Sequence, residues 1–352
     1  MNYIKTDKIF KHGLVLPTNP VTVEMWLCGV GVCTNKCYYC SMGKKKKGTI
    51  MNLTDIKYNL RFLKDLGTKG LILSGGGEPL LNPNFIDAIR IASTYGLDTG
   101  IITNGTELNS KNRQTILKNS KWVRISLDAI DEEQYTKIRG VNTFDKVINN
   151  IKLLVKDKIK YESKCTIGVQ MVVNKYNYKT IKEFIAMCKS TLPGIDYIQV
   201  RPFETMLTEQ SYSKPQENVI KKQLEEIKNK KVDVRRIGSD IDLIISNKWD
   251  ITFSKNREYG FDKCHCVRVV GVITDESLFY LCCHVVGNPN YCFGNTKAFG
   301  IKGFLENREK VIRKLGTTLG LDPNVCPVAC RGAGINRSIQ GVIEHDDHGN
   351  FL

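Results

Sequence analysis

Cys33-Thr34-Asn35-Lys36-Cys37-Tyr38-Tyr39-Cys40 is the stretch whose reading decides the fold. Three thiolates in so short a loop can wrap one face of a metal cluster. Four irons held by three protein thiolates leave one iron open to a small ligand, as a catalytic zinc keeps a position open for water. A zinc knuckle with its fourth ligand elsewhere has compatible spacing, so the flanking sequence must decide between them.

Outward from this loop, short Ile- and Val-rich runs alternate with amphipathic stretches. The runs Val21–Leu27, Gly70–Ser74, Asp98–Thr103, Trp122–Asp128, Thr166–Val173 and Tyr197–Arg201 read as strands buried on both faces. Thr54–Leu66, Asn84–Tyr95, Ser110–Asn119, Phe144–Lys156 and Asn177–Lys189 read as helices between them. Thr54 and Ser110 are the expected N-caps, and Gly67 and Gly96 stand where C-caps belong. Such an alternation predicts an α/β fold whose parallel sheet has right-handed crossovers, either open or a partial (βα)6 barrel of TIM type. In either case the chemistry is expected at the C-terminal strand ends.

Short motifs occupy those strand ends. Ser74-Gly75-Gly76-Gly77-Glu78-Pro79 closes the second strand, Thr103-Asn104-Gly105 the third and Ser126-Leu127-Asp128 the fourth; Ile138-Arg139-Gly140 follows. Together with the cysteine loop, whose last cysteine follows the aromatic Tyr39, this series resembles the radical S-adenosylmethionine (SAM) superfamily over roughly residues 20–205. The resemblance implies a [4Fe–4S] cluster on Cys33, Cys37 and Cys40 whose open iron binds the amino and carboxylate groups of SAM. It implies SAM contacts from Tyr39, Gly75, Gly76, Gly77, Glu78, Pro79, Thr103, Asn104, Ser126, Asp128 and Arg139, the arginine fork suiting the SAM carboxylate. Gln170 and Arg201, at strand ends facing the same place, are further candidates for adenosine or substrate. The family also implies a one-electron donor such as flavodoxin or ferredoxin.

The thirteen cysteines are unevenly spread: four lie at 28–40, seven at 264–330, and only Cys165 and Cys188 between. Clustering argues for metal. Val267–Ile273 and Leu278–Cys282 read as a β-hairpin with cysteines at its outer ends, followed by a basic helix over Phe299–Leu315 and by Cys326-Pro-Val-Ala-Cys330. This arrangement resembles the twitch/SPASM extension of radical SAM enzymes, and Gly294-Asn295 fits its turn. The resemblance implies one auxiliary [4Fe–4S] cluster on Cys266, Cys282, Cys326 and Cys330, with Cys264 and Cys283 as alternates, zinc being the rival metal. The expected organisation is a core over residues 1–210, a connector over 211–260 and an auxiliary-cluster module over 261–352.

Composition bounds the rest. Hydrophobic residues make up 41% and charged residues 25%, ordinary for a globular protein. No apolar run is long enough to span a membrane, and Met1–Phe10 lacks a secretory apolar core, so a cytoplasmic protein without membrane attachment is expected. The net charge of +16 permits nucleic acid, but the lysines are scattered apart from Lys44–Lys47, and nucleic acid is not favoured.

The expected reaction is hydrogen abstraction from a polar substrate, a carbohydrate-like or aminocyclitol-like small molecule or a peptide, leading to oxidation or epimerisation. Modification of RNA or of a ribosomally made peptide by the same radical start is the alternative, and a non-enzymatic zinc-binding nucleic-acid module a second. For an epimerisation Cys28, Cys165 and Cys283 are candidate hydrogen donors; for a dehydrogenation Glu204 is the candidate base.

Overall fold

The structure, a computed structural model, describes residues 19–43, 47–203, 212–229, 241–245, 248–253, 264–298, 300–314 and 336. Its strands are β1 (Thr22–Trp26), β2 (Gly70–Ser74), β3 (Asp98–Thr103), β4 (Trp122–Ser126), β5 (Thr166–Val173), β6 (Tyr197–Pro202), β7 (Asp242–Ile245), β8 (Val270–Ile273), β9 (Leu278–Tyr280) and β10 (Cys292–Asn295). They form one sheet in the order β10-β9-β8-β1-β2-β3-β4-β5-β6-β7. From β8 through β7 every neighbour is parallel, and only β8–β9 and β9–β10 are antiparallel.

The crossovers are α1 (Leu53–Asp65), α2 (Phe85–Thr94), α3 (Ser110–Asn119), α4 (Glu132–Arg139), α5 (Phe144–Lys160) and α6 (Ile181–Thr191). Later come α7 (Lys214–Asn229), α8 (Lys248–Phe253), α9 (Cys266–Val269) and α10 (Ile301–Lys314). Along β4, Val123 and Ile125 are fully buried, while Trp122, Arg124 and Ser126 on the other face are half-buried. One face therefore lies in the apolar core and the other lines a more polar interior.

Two glycines shape that interior. A Cβ on Gly100 would fall within the Trp122 indole, and one on Gly168 within the Tyr197 ring. Each glycine sits level with the strand bearing the ring, Gly100 with Trp122 and Gly168 with Tyr197. The rings therefore lie flat across the neighbouring strand, an approach only a residue without Cβ permits.

Local caps differ from expectation. The N-caps are Asn52 and Asn109, whose side chains accept from Asp55 N and Asn112 N, in place of Thr54 and Ser110. Asn serves this role as well as Ser and better than Thr, and it stands earlier in each run. Gly67 (φ +82°) and Gly96 (φ +71°) do terminate their helices in left-handed backbone. Val267 does not begin a strand: Cys266–Val269 is a single helical turn, and the strand starts at Val270.

The C-terminal hairpin joins the core sheet itself, since β8 pairs in parallel with β1. Phe304 of α10 meets Phe62 of α1 at 5.0 Å between ring centroids and Phe279 of β9 at 4.9 Å. Asn59 donates to Ser277 Oγ at 2.9 Å and accepts from Thr296 Oγ1 at 2.6 Å, so α1 is bonded to the hairpin in its buried polar centre.

Candidate active site

The cysteine loop leaves the C-terminal end of β1 and is closed at its base. Gly29 N donates to Thr49 O at 2.7 Å, Gly48 N to Val30 O at 3.0 Å and Met51 N to Leu27 O at 3.0 Å. Asp275, at the tip of the β8–β9 turn, locks this base by accepting from Thr49 N at 2.6 Å and Thr49 Oγ1 at 3.0 Å.

The glycine run after β2 supports the loop from beneath. Gly77 N donates to Cys28 O at 3.1 Å and Glu78 N to Val32 O at 2.8 Å. A Cβ on Gly76 would lie 2.7 Å from Val30 N, and one on Gly77 would collide with Val32 O. These glycines are required by close backbone approach. The Glu78 carboxylate is fully enclosed and braces β2 against β3: it accepts from Leu80 N at 3.2 Å, Thr103 Oγ1 at 2.6 Å and Asn104 N at 2.8 Å. Burial pushes its pKa up to about 7, against the pull of those donors on the charged form.

Asn104 joins the third strand end to the cysteine loop through Nδ2, which lies 2.9 Å from Thr34 Oγ1 and 3.7 Å from Cys33 Sγ. Asn35 N also donates to Cys33 Sγ at 3.4 Å. Burial pushes the Cys33 thiol up to about 11, while these N–H donors pull toward the thiolate. Cys33 and Cys40 are exposed and Cys37 half-buried.

The other flank of the loop rests on α4, an element the hydrophobic periodicity missed. Its caps were readable: Asp131 accepts from Gln134 N, Glu132 and Glu133 follow in the first turn, and Gly140 closes it at φ +69°. Lys36 N donates to Arg139 O at 2.8 Å, and a Cβ on Gly140 would sit 2.7 Å from Lys36 O. Arg139 and Asp128 are buried together, with Nη2 2.7 Å from Oδ2, and Tyr39 OH donates to the same oxygen. Burial opposes the Arg139 charge, but Asp128 and Tyr39 hold it firmly protonated.

The remaining sequence candidates divide. Gln170 stands beside Ser126 in register, 3% exposed, with its Oε1 unpartnered on the inner face. Arg201 lies one step further along, level with Val172. Arg124 Nη1, which sequence reasoning did not single out, donates to Gln199 Oε1 at 3.0 Å on that face. Cys28 is buried behind the loop, where burial and the Glu78 charge push its thiol up to about 12. Cys165 is not brought to this end of the sheet: it precedes β5 and lines a cleft of about 710 Å³ with Asp98, Ser120 and Lys121 at the N-terminal strand ends. Pro79 is buried at the start of a short 3-10 turn. Glu204, Cys326 and Cys330 lie outside the described residues.

Of the C-terminal cysteines, Cys264, Cys282 and Cys292 are half-buried, while Cys266 and Cys283 are buried. Asn336 bonds to two of them: Nδ2 donates to Cys264 Sγ at 3.4 Å, and Oδ1 accepts from Cys266 N at 2.6 Å. Gly294 N donates to Cys292 Sγ at 3.4 Å. Among the described residues no three His, Cys, Asp or Glu side chains meet closely enough to ring a single metal ion. A four-iron cluster makes a different demand, since each thiolate takes its own iron.

The profile of the Radical SAM superfamily matches residues 29–188, the segment that carries this geometry. The chain contains a radical SAM domain. SAM and a [4Fe–4S] cluster are the cofactors of such a domain, and a loop of three thiols supplied with N–H donors to sulfur is a donor set that fits the cluster.

Two curated relatives are proteins named "Probable GTP 3′,8-cyclase". That of Saccharolobus islandicus is 28% identical over 174 residues, 49% of this chain and 54% of the relative. That of Pyrococcus horikoshii is 27% identical over 208 residues, 58% of this chain and 66% of the relative. The chain thus spans about half the length of the first of these relatives. Among solved structures, Streptococcus suis SuiB bound to S-adenosylmethionine superposes with a TM-score of 0.64 at 15% identity, covering 92% of this chain and 75% of SuiB. The anSMEcpe enzyme with bound AdoMet and Kp18Cys peptide gives 0.63 at 18% identity, covering 86% and 84%. This likeness of fold extends beyond residues 29–188, the part that the family profile matches.

Proposed function

We propose that the enzyme abstracts a hydrogen atom from a polar substrate, a peptide or a carbohydrate-like small molecule, and carries the product radical to an oxidised or epimerised product. The carrying observation is the placement of Cys33, Cys37 and Cys40 on a loop held between the Gly75–Glu78 turn and α4, above the inner face that Ser126 and Gln170 line. When bound, the reduced cluster with SAM supplies a 5′-deoxyadenosyl radical. The chain's own residues do the rest. Thr34 and Asn104 tie the cysteine loop to the end of β3. The unpartnered Gln170 Oε1 offers an acceptor to a hydroxyl or amide of the substrate or of adenosine. Trp122 and Tyr197, laid across Gly100 and Gly168, occupy the inner face nearer the N-terminal strand ends and limit the depth to which a substrate and water reach.

In this reading an auxiliary cluster draws its ligands from Cys266 and Cys282, with Cys264 and Cys283 as alternates, completed by Cys326 and Cys330. Organisation into a core over residues 1–210, a connector and a module from 261 remains part of the proposal, with one qualification from the fold: the sheet runs through both boundaries, because β7 and β8 extend it at opposite edges of the core strands. An electron must reach the cluster from a carrier such as flavodoxin or ferredoxin, and a cytoplasmic setting suits that supply; no helix among the described residues is long and apolar enough to cross a membrane.

The names of the curated relatives favour a second substrate reading, a purine nucleotide, which the net charge of +16 also suits. One assay tests both. Reconstituted protein is supplied with dithionite and SAM, and 5′-deoxyadenosine is counted with and without peptide, sugar or GTP. Replacement of Cys33, Cys37 and Cys40 together by Ala is expected to abolish the product. Undiminished 5′-deoxyadenosine in that variant refutes the reading; stimulation by GTP alone selects the second substrate.

A further inference from the structure

Arg139 makes a contact that the resemblance to the family does not explain. Its Nη1 donates to Cys37 Sγ at 3.4 Å, while Nη2 lies 2.7 Å from Asp128 Oδ2. The guanidinium also faces the ring of Tyr39, with its carbon 5.9 Å from the centroid. The arginine is thus engaged by three groups of the protein itself.

Asp128 is itself fixed. It adopts left-handed backbone at φ +66°, where a non-glycine residue needs local support. That support is present: Oδ1 accepts from Val172 N at 2.7 Å, and the Asp128 carbonyl accepts from Asn177 Nδ2 at 2.8 Å. The carboxylate so held presents Oδ2 to both Arg139 and Tyr39. Two adjacent crossovers, β4–α4 and β5–α6, therefore converge to aim one guanidinium at one thiol.

We infer that Arg139, aimed by Asp128, is a positioning residue for the Cys37 thiolate and favours the reduced state of the cluster that Cys33, Cys37 and Cys40 hold. The inference rests on the proposed assignment of those three ligands. The physical reason is charge. Reduction adds one negative charge to the cluster, and a buried cation donating to one of its thiolates attracts the reduced form more strongly than the oxidised one. Hydrogen bonds to cluster sulfurs and local charge are established determinants of such potentials. In this arrangement the Nη1 atom of Arg139 is engaged by Cys37 and Nη2 is ion-paired with Asp128, while Nε has no hydrogen-bond partner among the described residues; the role assigned to the arginine is toward the cluster, and the SAM-affinity measurement separates it from a role toward the SAM carboxylate.

The test measures two quantities on reconstituted enzyme: the cluster's midpoint potential, by EPR-monitored titration without SAM, and SAM affinity, by equilibrium dialysis. Iron per chain is measured first; wild type without iron would overturn the ligand assignment itself, whereas iron with unmoved potentials overturns only this inference. Arg139→Gln is expected to lower the potential by at least a tenfold change in the reduced-to-oxidised ratio, about 59 mV for one electron, with SAM affinity within about twofold of wild type. Arg139→Lys, which keeps a charge but loses the fork, is expected to fall between the two. Asp128→Asn tolerates the left-handed backbone and keeps an acceptor for Val172 N, but loses the ion pair. Removing a negative charge would by itself raise the potential; loss of aim lowers it. A lower potential in Asp128→Asn supports the inference, and a raised or unchanged one overturns it. So does an Arg139→Gln variant with unshifted potential and SAM affinity weakened tenfold, which would return Arg139 to the SAM carboxylate.

Discussion

Glu78 offers a direct test of how the strand ends beneath the cysteine loop are held. Its carboxyl is enclosed between β2 and β3 and accepts three hydrogen bonds, yet burial raises its pKa from the ordinary 4.5 to about 7. The folded chain therefore keeps the proton up to about pH 7, whereas the unfolded chain releases it near 4.5. Between these values the folded state binds more protons, so stability is full below the unfolded pKa and declines as pH rises toward the folded one. A shift of this size corresponds to roughly 3 kcal/mol lost by the time the group is ionised. Glu78→Gln is uncharged at every pH, but its amide nitrogen cannot accept and forfeits the bond from either Asn104 N or Leu80 N. The variant is expected to be less stable than wild type at pH 5, and the gap is expected to close by up to roughly 3 kcal/mol as wild type loses stability toward pH 8. Urea unfolding of the cluster-free protein under reductant across this range measures the difference. The Cys28 and Cys33 thiols, pushed up to about 12 and about 11, do not titrate within it. A gap between variant and wild type that does not change from pH 5 to pH 8 refutes the reasoning. It would mean that the donors from Leu80, Thr103 and Asn104 outweigh burial and hold the carboxylate ionised.

Three further outcomes are expected. Gly100→Ala and Gly168→Ala each force a Cβ into an aromatic ring; each is expected to lower stability by roughly 1–3 kcal/mol in urea unfolding, and an unchanged midpoint would show that the rings move aside freely. Asp275→Ala removes the charge-assisted bonds to Thr49 that tie the hairpin to the cysteine loop; a loss of roughly 1.5–3 kcal/mol is expected, together with faster hydrogen exchange at Thr49 N, and unaltered exchange there would disprove the latch. Cys28→Ala is expected to retain the iron content of wild type, because this thiol is buried behind the loop; loss of iron on that substitution would make Cys28 a ligand.

Much of the fold was legible because parallel strands buried on both faces leave a plain signature. The runs at Gly70–Ser74, Asp98–Thr103 and Thr166–Val173 end where the sequence predicts. The fourth crossover helix was missed because Glu132–Arg139 is short and polar, with only Tyr135, Ile138 and Arg139 buried, so periodicity is faint although its caps are clear. β10 was missed for a similar reason: Cys292–Asn295 contains a glycine at φ +105° and a register shift against β9.

At the site, sequence alone determined which residues stand at the C-terminal strand ends, because chain order and strand period place Cys33–Cys40, Gly75–Glu78, Thr103–Asn104 and Ser126–Asp128 there one after another. It equally determined that the cysteines concentrate in two groups. Tertiary structure decided what those side chains touch. The glycines of Gly75–Gly77 serve backbone approach to the cysteine loop, Glu78 is spent between two strands, and Asp128 holds Arg139 against Cys37. It also decided that the C-terminal hairpin lies along β1 and reaches the base of the cysteine loop through Asp275. The physical reason is the range of the information. Period, caps and spacing act over a few residues and are written locally, whereas a buried hydrogen-bonded carboxylate is defined by partners as far away as the 226 residues that separate Thr49 from Asp275.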